Sequence, residues 1–283
     1  MPIDVEKARG AKLPEGESAY VEDDVILYHL GVGAGDPPTD PGELAYTYEK
    51  NLKVLPSFAV IPAFGSMGGI ASVPGMQFNF AMLLHGEQEV ILHKPLPVRQ
   101  KLKTSAHIPE IWDKGKAALV ILESTAKDEQ DDALFTNRFS LFIRGEGGFG
   151  GEPGPKAGNA APERRPDGVV TRKTLPQQAL LYRLSGDKNP LHADPGFAKL
   201  AGFDRPIIHG LCSYGVACKA IVDDVLDGDV TRVARYQARF SGVGFPGETY
   251  ETSWWREDGK ILFLTKSVER GTPIISNAAI TLR

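Results

Sequence analysis

The chain has 283 residues, of which 42% are hydrophobic and 24% charged, and its formal net charge at pH 7 is -4. This composition is typical of a globular protein with a sizeable core, built as one large domain or two medium ones. The slight acidic excess argues against the broad basic surface of a nucleic-acid-binding protein, although a few local cations can still bind an anionic small molecule.

The ends of the chain and its cysteines suggest a protein of a reducing compartment. The N-terminal segment MPIDVEKARGAKLPEGE lacks the apolar core of a signal peptide, and no apolar run reaches the ~18 residues of a membrane span. The final Ala-Ile-Thr-Leu-Arg carries no peroxisomal tripeptide. Cys212 and Cys218 lie six residues apart in one apolar segment, which predicts neither a disulfide nor a metal pair. We expect a cytoplasmic protein with no membrane span.

The elements of the first half recur in the second, in the same chain order. The first half has YHLG at 28–31, then the apolar, small-residue segment VLPSFAVIPAFGSMGG. The second half has YRLSG at 182–186, then the comparable segment RPIIHGLCSYGVACKAIV. Each continues, after a proline, into strand-like sequence. This shared order predicts an internal duplication.

Each half ends in a predicted meander of three antiparallel strands. In the first half the strands are TSAHIPEIW, KAALVILESTA and ALFTNRFSLFIRG, and in the second ETSWWRE, KILFLTKSVE and PIISNAAITLR. Between the halves lies GEGGFGGEPGPKAGNAAPERRPD, a Gly- and Pro-rich linker that can bury little apolar surface. We therefore expect an N-terminal domain at 1–145, a linker at 146–168 and a C-terminal domain at 169–283.

A buried helix is predicted at the centre of the second half. Residues 211–222 are apolar on several faces, and Gly215, Ala217 and Ala220 are small enough for a sheet to approach closely. One helix wrapped by a meander in each half is the hot-dog architecture. The predicted fold is thus α+β, a double hot dog in which two antiparallel sheets each enclose a central helix. A βαβ nucleotide-binding fold is disfavoured because strands cluster at the end of each half.

The loop SGDKNPLH of the second half gathers polar residues that suit acid–base chemistry. Asp187, Asn189 and His192 lie within six residues of one another. An Asp and a His can serve one water as proton acceptor and donor, and imidazole titrates near neutral pH. The alternative is an Asx turn, in which Asp187 and Asn189 cap backbone N–H groups. The matching position of the first half reads GAGDP without the Asn or His, which favours a role needed only once.

The segments YRLSGDKNPLH and PIIHGLCSYG resemble the signature of the MaoC-like, type-2 enoyl-CoA hydratases, and the likeness extends over nearly the whole chain. That family forms (3R)-hydroxyacyl-CoA from trans-2-enoyl-CoA. The resemblance places the chemistry in the second hot dog and leaves the first, which lacks the catalytic residues, to accommodate the acyl chain. It also suggests fatty-acid or steroid side-chain oxidation.

The resemblance also implies site residues. Asp187 and His192 correspond to the catalytic pair, with His192 activating water and Asp187 moving the proton, although the reverse assignment stays open. Asn189 supports them. Gly210 would offer its N–H to the enolate oxygen at a helix N-terminus, or would simply permit close packing. The remaining implied contacts are with the ligand and involve His85, Gly86, Lys114 and Phe240. We expect His209 to be structural, with its side chain turned away from the substrate.

Other functions remain alternatives. The same loop would serve a 3-hydroxyacyl-thioester dehydratase of fatty-acid synthesis, and a non-catalytic acyl-CoA-binding subunit or a thioester hydrolase is also conceivable. The glycine-rich segments match neither a dinucleotide fingerprint nor a P-loop, and the His and acid spacings match no common metal motif. We expect no cofactor and no metal, because CoA is part of the substrate. The expected partner is an acyl-CoA thioester, and the family suggests a homodimer.

Overall fold

The structure is a computed structural model that describes residues 3–283. Within that range the strands are β1 (Gly16–Tyr20), β2 (Leu83–Leu92), β3 (Gln100–Asp113), β4 (Ala117–Lys127), β5 (Ala133–Arg144), β6 (Gly168–Lys173), β7 (Val233–Phe240), β8 (Thr249–Glu257), β9 (Lys260–Ser267) and β10 (Pro273–Leu282). The α-helices are α1 (Val5–Ala8), α2 (Glu22–Gly31), α3 (Pro41–Thr47), α4 (Val60–Ala63), α5 (Gly65–Gly68), α6 (Gln178–Tyr182), α7 (Pro195–Leu200) and α8 (Gly210–Val225). Short 3-10 helices lie at Pro56–Ala59, Gly69–Ser72, Phe80–Met82, Arg183–Ser185, Pro190–His192 and Val230–Arg232.

All ten strands join one antiparallel sheet whose order repeats the duplication. The order is β1-β3-β4-β5-β2 in the first half and, continuing, β7-β10-β9-β8-β6 in the second. The second series is the mirror of the first, with β1 matching β6 and the meander β3-β4-β5 matching β8-β9-β10. The two predicted meanders are therefore confirmed. Strands β2 and β7 were not predicted, and their pairing from Glu87–Arg239 to Ile91–Arg235 joins the two sheets edge to edge.

Helix α8 is the predicted central helix of the second half. Thirteen of its sixteen residues are buried, as are both cysteines, which are free thiols. Its small residues allow a neighbouring element to approach closely, as predicted. At Gly215, however, that neighbour is not a strand of the sheet. A Cβ there would lie 2.4 Å from Cγ1 of Val32 and 2.7 Å from the hydroxyl of Tyr28. The helix thus packs against the end of α2, which belongs to the first half.

The counterpart of α8 in the first half is an irregular helical segment and not one regular α-helix. Residues 56–72 form two 3-10 helices that flank α4 and α5, and the backbone at the junctions Ala59, Phe64 and Gly68 is also right-handed helical. Pro62 interrupts the backbone hydrogen bonding, and Gly65, Gly68 and Gly69 disfavour a helix interior. The broken segment brings Phe64 and Met67 to the wall of a cavity between the two halves.

Residues 145–167, between β5 and β6, contain no helix or strand. Their start is fixed by Asp113, whose carboxylate accepts hydrogen bonds of 2.8 Å from the N–H groups of Gly115, Gly148 and Gly150. These backbone donors, Gly148 first, lower the pKa of Asp113. The neighbouring Lys114 donates to the carbonyl of Pro153. These bonds fix the linker against the turn between β3 and β4, at the edge of a large cavity.

No helix in the described range is both long enough and apolar enough to cross a membrane.

Candidate active site

The loop 187–192 is shaped by one glycine and two side-chain caps. Gly186 has φ +135°, a conformation that residues with a Cβ rarely adopt. Beyond it, Oδ1 of Asp187 accepts from the N–H of Asn189, and Oδ1 of Asn189 accepts from the N–H of Leu191, each at 3.0 Å. Both Asx turns of the alternative interpretation are therefore present. A carboxylate and a carboxamide each retain a second polar atom, so capping and chemistry are compatible here.

One helix N-cap is common to both halves, and it lies outside the loop 187–192. Asp40 and Asp194 each precede a Pro-Gly pair and cap helices α3 and α7, accepting from the N–H groups two and three residues ahead. These two aspartates occupy equivalent places in the duplicated chain. Asn189 and His192 have no such counterpart in the GAGDP segment of the first half, so helix capping does not explain why all three polar residues of the loop occur together.

His192 is buried and held in one tautomer. Its Nδ1 lies 2.9 Å from the carbonyl oxygen of Ile207, and because a carbonyl can only accept, Nδ1 carries the proton. The neutral ring then keeps the lone pair of Nε2 available as a base. Burial is the main influence on this imidazole, and it lowers the pKa of His192 below the usual range. The imidazole is thus neutral near pH 7, with Nε2 free to accept a proton.

Gly210 begins helix α8, where first-turn N–H groups have no partner within the helix. Phe240, at the end of β7, covers the glycine, and a Cβ on Gly210 would meet Phe240 Cδ1 at 3.3 Å. Close packing and an accessible N–H therefore occur at the same residue. The positive end of the helix dipole also favours negative charge at this point.

A cavity of about 370 Å³ collects the four residues assigned to chemistry: Asp187, Asn189, His192 and Gly210. Its opposite wall comes from the first half and is largely apolar, formed by Phe64, Met67, Leu83, Leu84 and His85. The site therefore lies at the contact between the two halves. The polar groups converge on one side, and apolar side chains exclude water on the other.

A second and larger cavity of about 970 Å³ adjoins the first, and both are lined by His85 and Phe240. Gly86 and Lys114 line the larger cavity alone, so the four expected ligand residues are brought to one continuous surface. Gly86 lies at a bulge in the β2–β5 pairing. His85 packs edge-on against Phe240 with ring centroids 5.0 Å apart, and burial lowers its pKa to about 4.

The expectation that His209 points away from the site is wrong. Its ring stacks on that of His192, with centroids 3.6 Å apart and planes inclined by 29°, and it lines the smaller cavity. Its Nε2 lies 3.2 Å from the carbonyl oxygen of Asp187. Residue spacing gave no signal for this contact, because the direction of a side chain that precedes a helix depends on tertiary packing.

Asp187, His192 and His209 also offer three ligand atoms within 4.8 Å of one another. Two imidazoles bind one metal when their in-plane lone pairs converge on it at about 2.0–2.1 Å. Here the two rings are stacked with planes inclined by 29°, and one nitrogen of each already faces a backbone carbonyl.

The fold is a duplicated hot dog, and its candidate site combines the polar loop 187–192, the N-terminus of helix α8 and two adjoining cavities. Residues 18–145 match the MFE-2 hydratase 2 N-terminal domain, and residues 157–278 match the MaoC like domain. The chain is 45% identical to the enoyl-CoA hydratase ChsH3 of Mycobacterium tuberculosis, over 97% of both proteins. It is 42% identical to the peroxisomal enoyl-CoA hydratase 2 of Arabidopsis thaliana, over 94% of this chain and 91% of that protein.

Among solved structures, the MaoC-like dehydratase from Phytophthora capsici is 34% identical and superposes with a TM-score of 0.88, covering 99% of each chain. The predicted double hot-dog fold is confirmed by this likeness. The chain belongs to the MaoC-like, enoyl-CoA hydratase 2 family.

Proposed function

We propose that the protein is an (R)-specific enoyl-CoA hydratase, a hydro-lyase that reversibly adds water to trans-2-enoyl-CoA and gives (3R)-3-hydroxyacyl-CoA. The observation that carries the proposal is that Asp187, His192 and the start of α8 at Gly210 line one cavity, while His192 presents an unprotonated Nε2 in its neutral form. Relatives named as enoyl-CoA hydratases, which align over nearly all of the chain, support it.

The mechanism follows from the groups around the cavity. A water held between Asp187 and His192, with Asn189 beside it, loses a proton to Nε2 of His192 as its oxygen adds to C3 of the substrate. Negative charge develops on the thioester oxygen, where the Gly210 N–H donates and the helix dipole stabilises it. The proton taken by His192 reaches C2 through Asp187 on the same face. The pair then regains its starting protonation, and no redox cofactor or metal is needed.

The larger cavity suits the CoA portion of the substrate. Among its cations, Arg138, Arg235 and Arg239 already pair with glutamates. Lys114, Arg144 and Lys156 line the same cavity, and such side chains bind phosphate by charge-assisted hydrogen bonds. The acyl chain then extends toward the apolar wall at Phe64 and Met67, so the first half serves as acyl-chain holder and the second half carries the chemistry.

Two further expectations accompany this function. We expect a homodimer, which light scattering coupled to size-exclusion chromatography would reveal as twice the mass of one chain. We also expect a cytoplasmic enzyme of fatty-acid or steroid side-chain oxidation, which fractionation of the source cells would test. Neither expectation changes the chemistry that the site performs.

The decisive assay follows the loss of enoyl-thioester absorbance over a series of acyl lengths, with chiral analysis of the product. Asp187→Ala and His192→Ala should each lower turnover of crotonyl-CoA or decenoyl-CoA by ~10² or more, the usual scale for losing an acid–base group. Asp194→Ala is the matched control, because Asp194 caps helix α7 on the exposed side of the same segment and should keep its activity. A (3S) product, release of free thiol, or an active His192→Ala variant would reject the proposal.

A further inference from the structure

We propose that His209 is a positioning residue for this reaction, which fixes the acid–base loop against the start of helix α8. The proposal rests on the hydratase function above, in which Asp187 and His192 move protons. His209 lies in the peptide segment immediately before Gly210 and contacts both Asp187 and His192. A single side chain therefore connects the acid–base pair with the oxyanion donor.

The first contact is with the face of His192. Only 8% of His192 and 2% of His209 are exposed, and the stacked rings lie 3.6 Å apart. A ring against its face prevents His192 from rotating, and the hydrogen bond from Nδ1 to the Ile207 carbonyl fixes the same ring within its plane. These two restraints together determine where Nε2 of His192 points.

The second contact is with the backbone of Asp187. Nε2 of His209 lies 3.2 Å from that carbonyl oxygen, so Nε2 carries the proton and donates. Asp187 follows Gly186, whose positive φ leaves this stretch of backbone without regular secondary structure to fix it. The hydrogen bond from His209 supplies a restraint at the residue whose carboxylate must reach the water.

The state of the other ring nitrogen argues for a role beyond packing. Nδ1 of His209 is buried and has no hydrogen-bond partner within residues 3–283. A buried polar atom without a partner is unfavourable, so packing alone would favour Phe or Leu beside His192. A histidine adds the hydrogen bond from Nε2 to the Asp187 carbonyl, which neither Phe nor Leu could donate.

His209 also stays neutral while its neighbour changes charge. The groups that face the two rings are Asp187, Arg183 and Tyr182. Burial, reinforced by repulsion from a protonated His192, lowers the pKa of His209 to about 3. His209 therefore does not compete for the proton that His192 takes from water, and it shields one face of His192 from solvent.

Two substitutions separate the contacts. His209→Phe keeps the stacked ring but removes the bond to Asp187, and we expect kcat to fall about 10-fold or more with KM nearly unchanged, because the reacting groups lose their alignment. His209→Gln keeps a donor at the Nε2 position but opens the face of His192 to water. Because burial is what lowers the pKa of His192, the acidic limb of kcat/KM should then move to higher pH. In His209→Phe that limb should stay in place.

Thermal unfolding and circular dichroism establish that each variant is folded before its kinetics are compared. Folded Phe and Gln variants that both retain wild-type kcat and the wild-type acidic limb would overturn the positioning role. So would losses that merely follow the folded fraction, with the pH profile unchanged. Failure of the proposed function would look different, because the wild-type protein would not hydrate enoyl-CoA or His192→Ala would remain active.

Discussion

Gly210 combines two requirements in one residue, since it begins helix α8 and lies under the ring of Phe240. A Cβ at this position would be 3.3 Å from Phe240 Cδ1, closer than most real contacts of a Cβ. Phe240 lines both cavities, so any shift of its ring changes the shape of the space proposed for the thioester. In the proposed reaction, the glycine therefore leaves space for the thioester and keeps its own N–H accessible.

We expect Gly210→Ala to fold but to lower kcat by about 10-fold or more, because displacing an oxyanion donor is a typical cause of losses up to 10²–10³. Steady-state kinetics on crotonyl-CoA would measure this. Gly16→Ala in edge strand β1 is the control, since a Cβ there meets nothing within 4 Å and kcat should be unchanged. Full kcat in Gly210→Ala would show that the packing at Phe240 is not part of the catalytic geometry.

At the residue scale, sequence predicted which side chains gather but not every direction in which they point. Asp187, Asn189 and His192 are close along the chain, and a loop interrupted by Gly186 and Pro190 almost forces them together. The approach of His85 and Phe240 depends on the pairing of β2 with β7 and could come only from family resemblance. The stacking of His209 on His192 had no sequence signal at all.

At the scale of elements, Gly215 is where the two halves come closest. A methyl group there would overlap Cγ1 of Val32 at 2.4 Å and the Tyr28 hydroxyl at 2.7 Å. Gly215→Ala should therefore destabilise the protein by about 1–3 kcal/mol, the usual cost of overpacking, despite the better helix propensity of alanine. Chemical denaturation would measure the change. Gly68→Ala in α5 is the control, because a Cβ there meets nothing within 4 Å; an equal effect in both variants would contradict the close packing.

The meanders and α8 could be predicted because their patterns are local. Strand-like runs of apolar residues, short turns that contain glycine, and a run of small apolar residues each identify an element without reference to the rest of the chain. Strand β2 is different, since the buried side chains near its centre include Gln88 and Glu89, which pair with Asn137 and Arg235. Polar residues buried by specific partners do not look like a strand in sequence.

At the scale of the whole molecule, the two halves share one arrangement of strands and differ in their central helices and in their loops. The strand order is mirrored about the β2–β7 pair, and the capping aspartates Asp40 and Asp194 persist in both halves. In the first half the central helical segment is irregular, and its residues Phe64 and Met67 line the apolar side of the cavity that also contains Asp187 and His192. The first half thus contributes apolar wall to this cavity, and the second half contributes the loop 187–192.

A buried ionic network also connects the halves, and it is centred on Lys219 of α8, which is only 4% exposed. Its ammonium lies 2.6 Å from Glu43 of α3, in the first half, and 2.7 Å from Asp223 of its own helix. Asp223 also accepts a 2.8 Å hydrogen bond from the hydroxyl of Tyr46. The single positive charge of Lys219 therefore lies between two carboxylates at the contact between α3 and α8.

Replacing Lys219 with Met should destabilise the protein by about 3 kcal/mol or more, because removing one member of a buried ionic group leaves its partners' charge uncompensated. Adding Glu43→Gln should recover part of that loss by removing one of the stranded charges. Lys173→Met is the control: its pair with Glu269 is on the surface, with the lysine 65% exposed, and such pairs contribute about 0–1 kcal/mol. Urea denaturation of the four proteins would decide, and a Lys219→Met variant no less stable than Lys173→Met would mean that this network does not hold the two halves together.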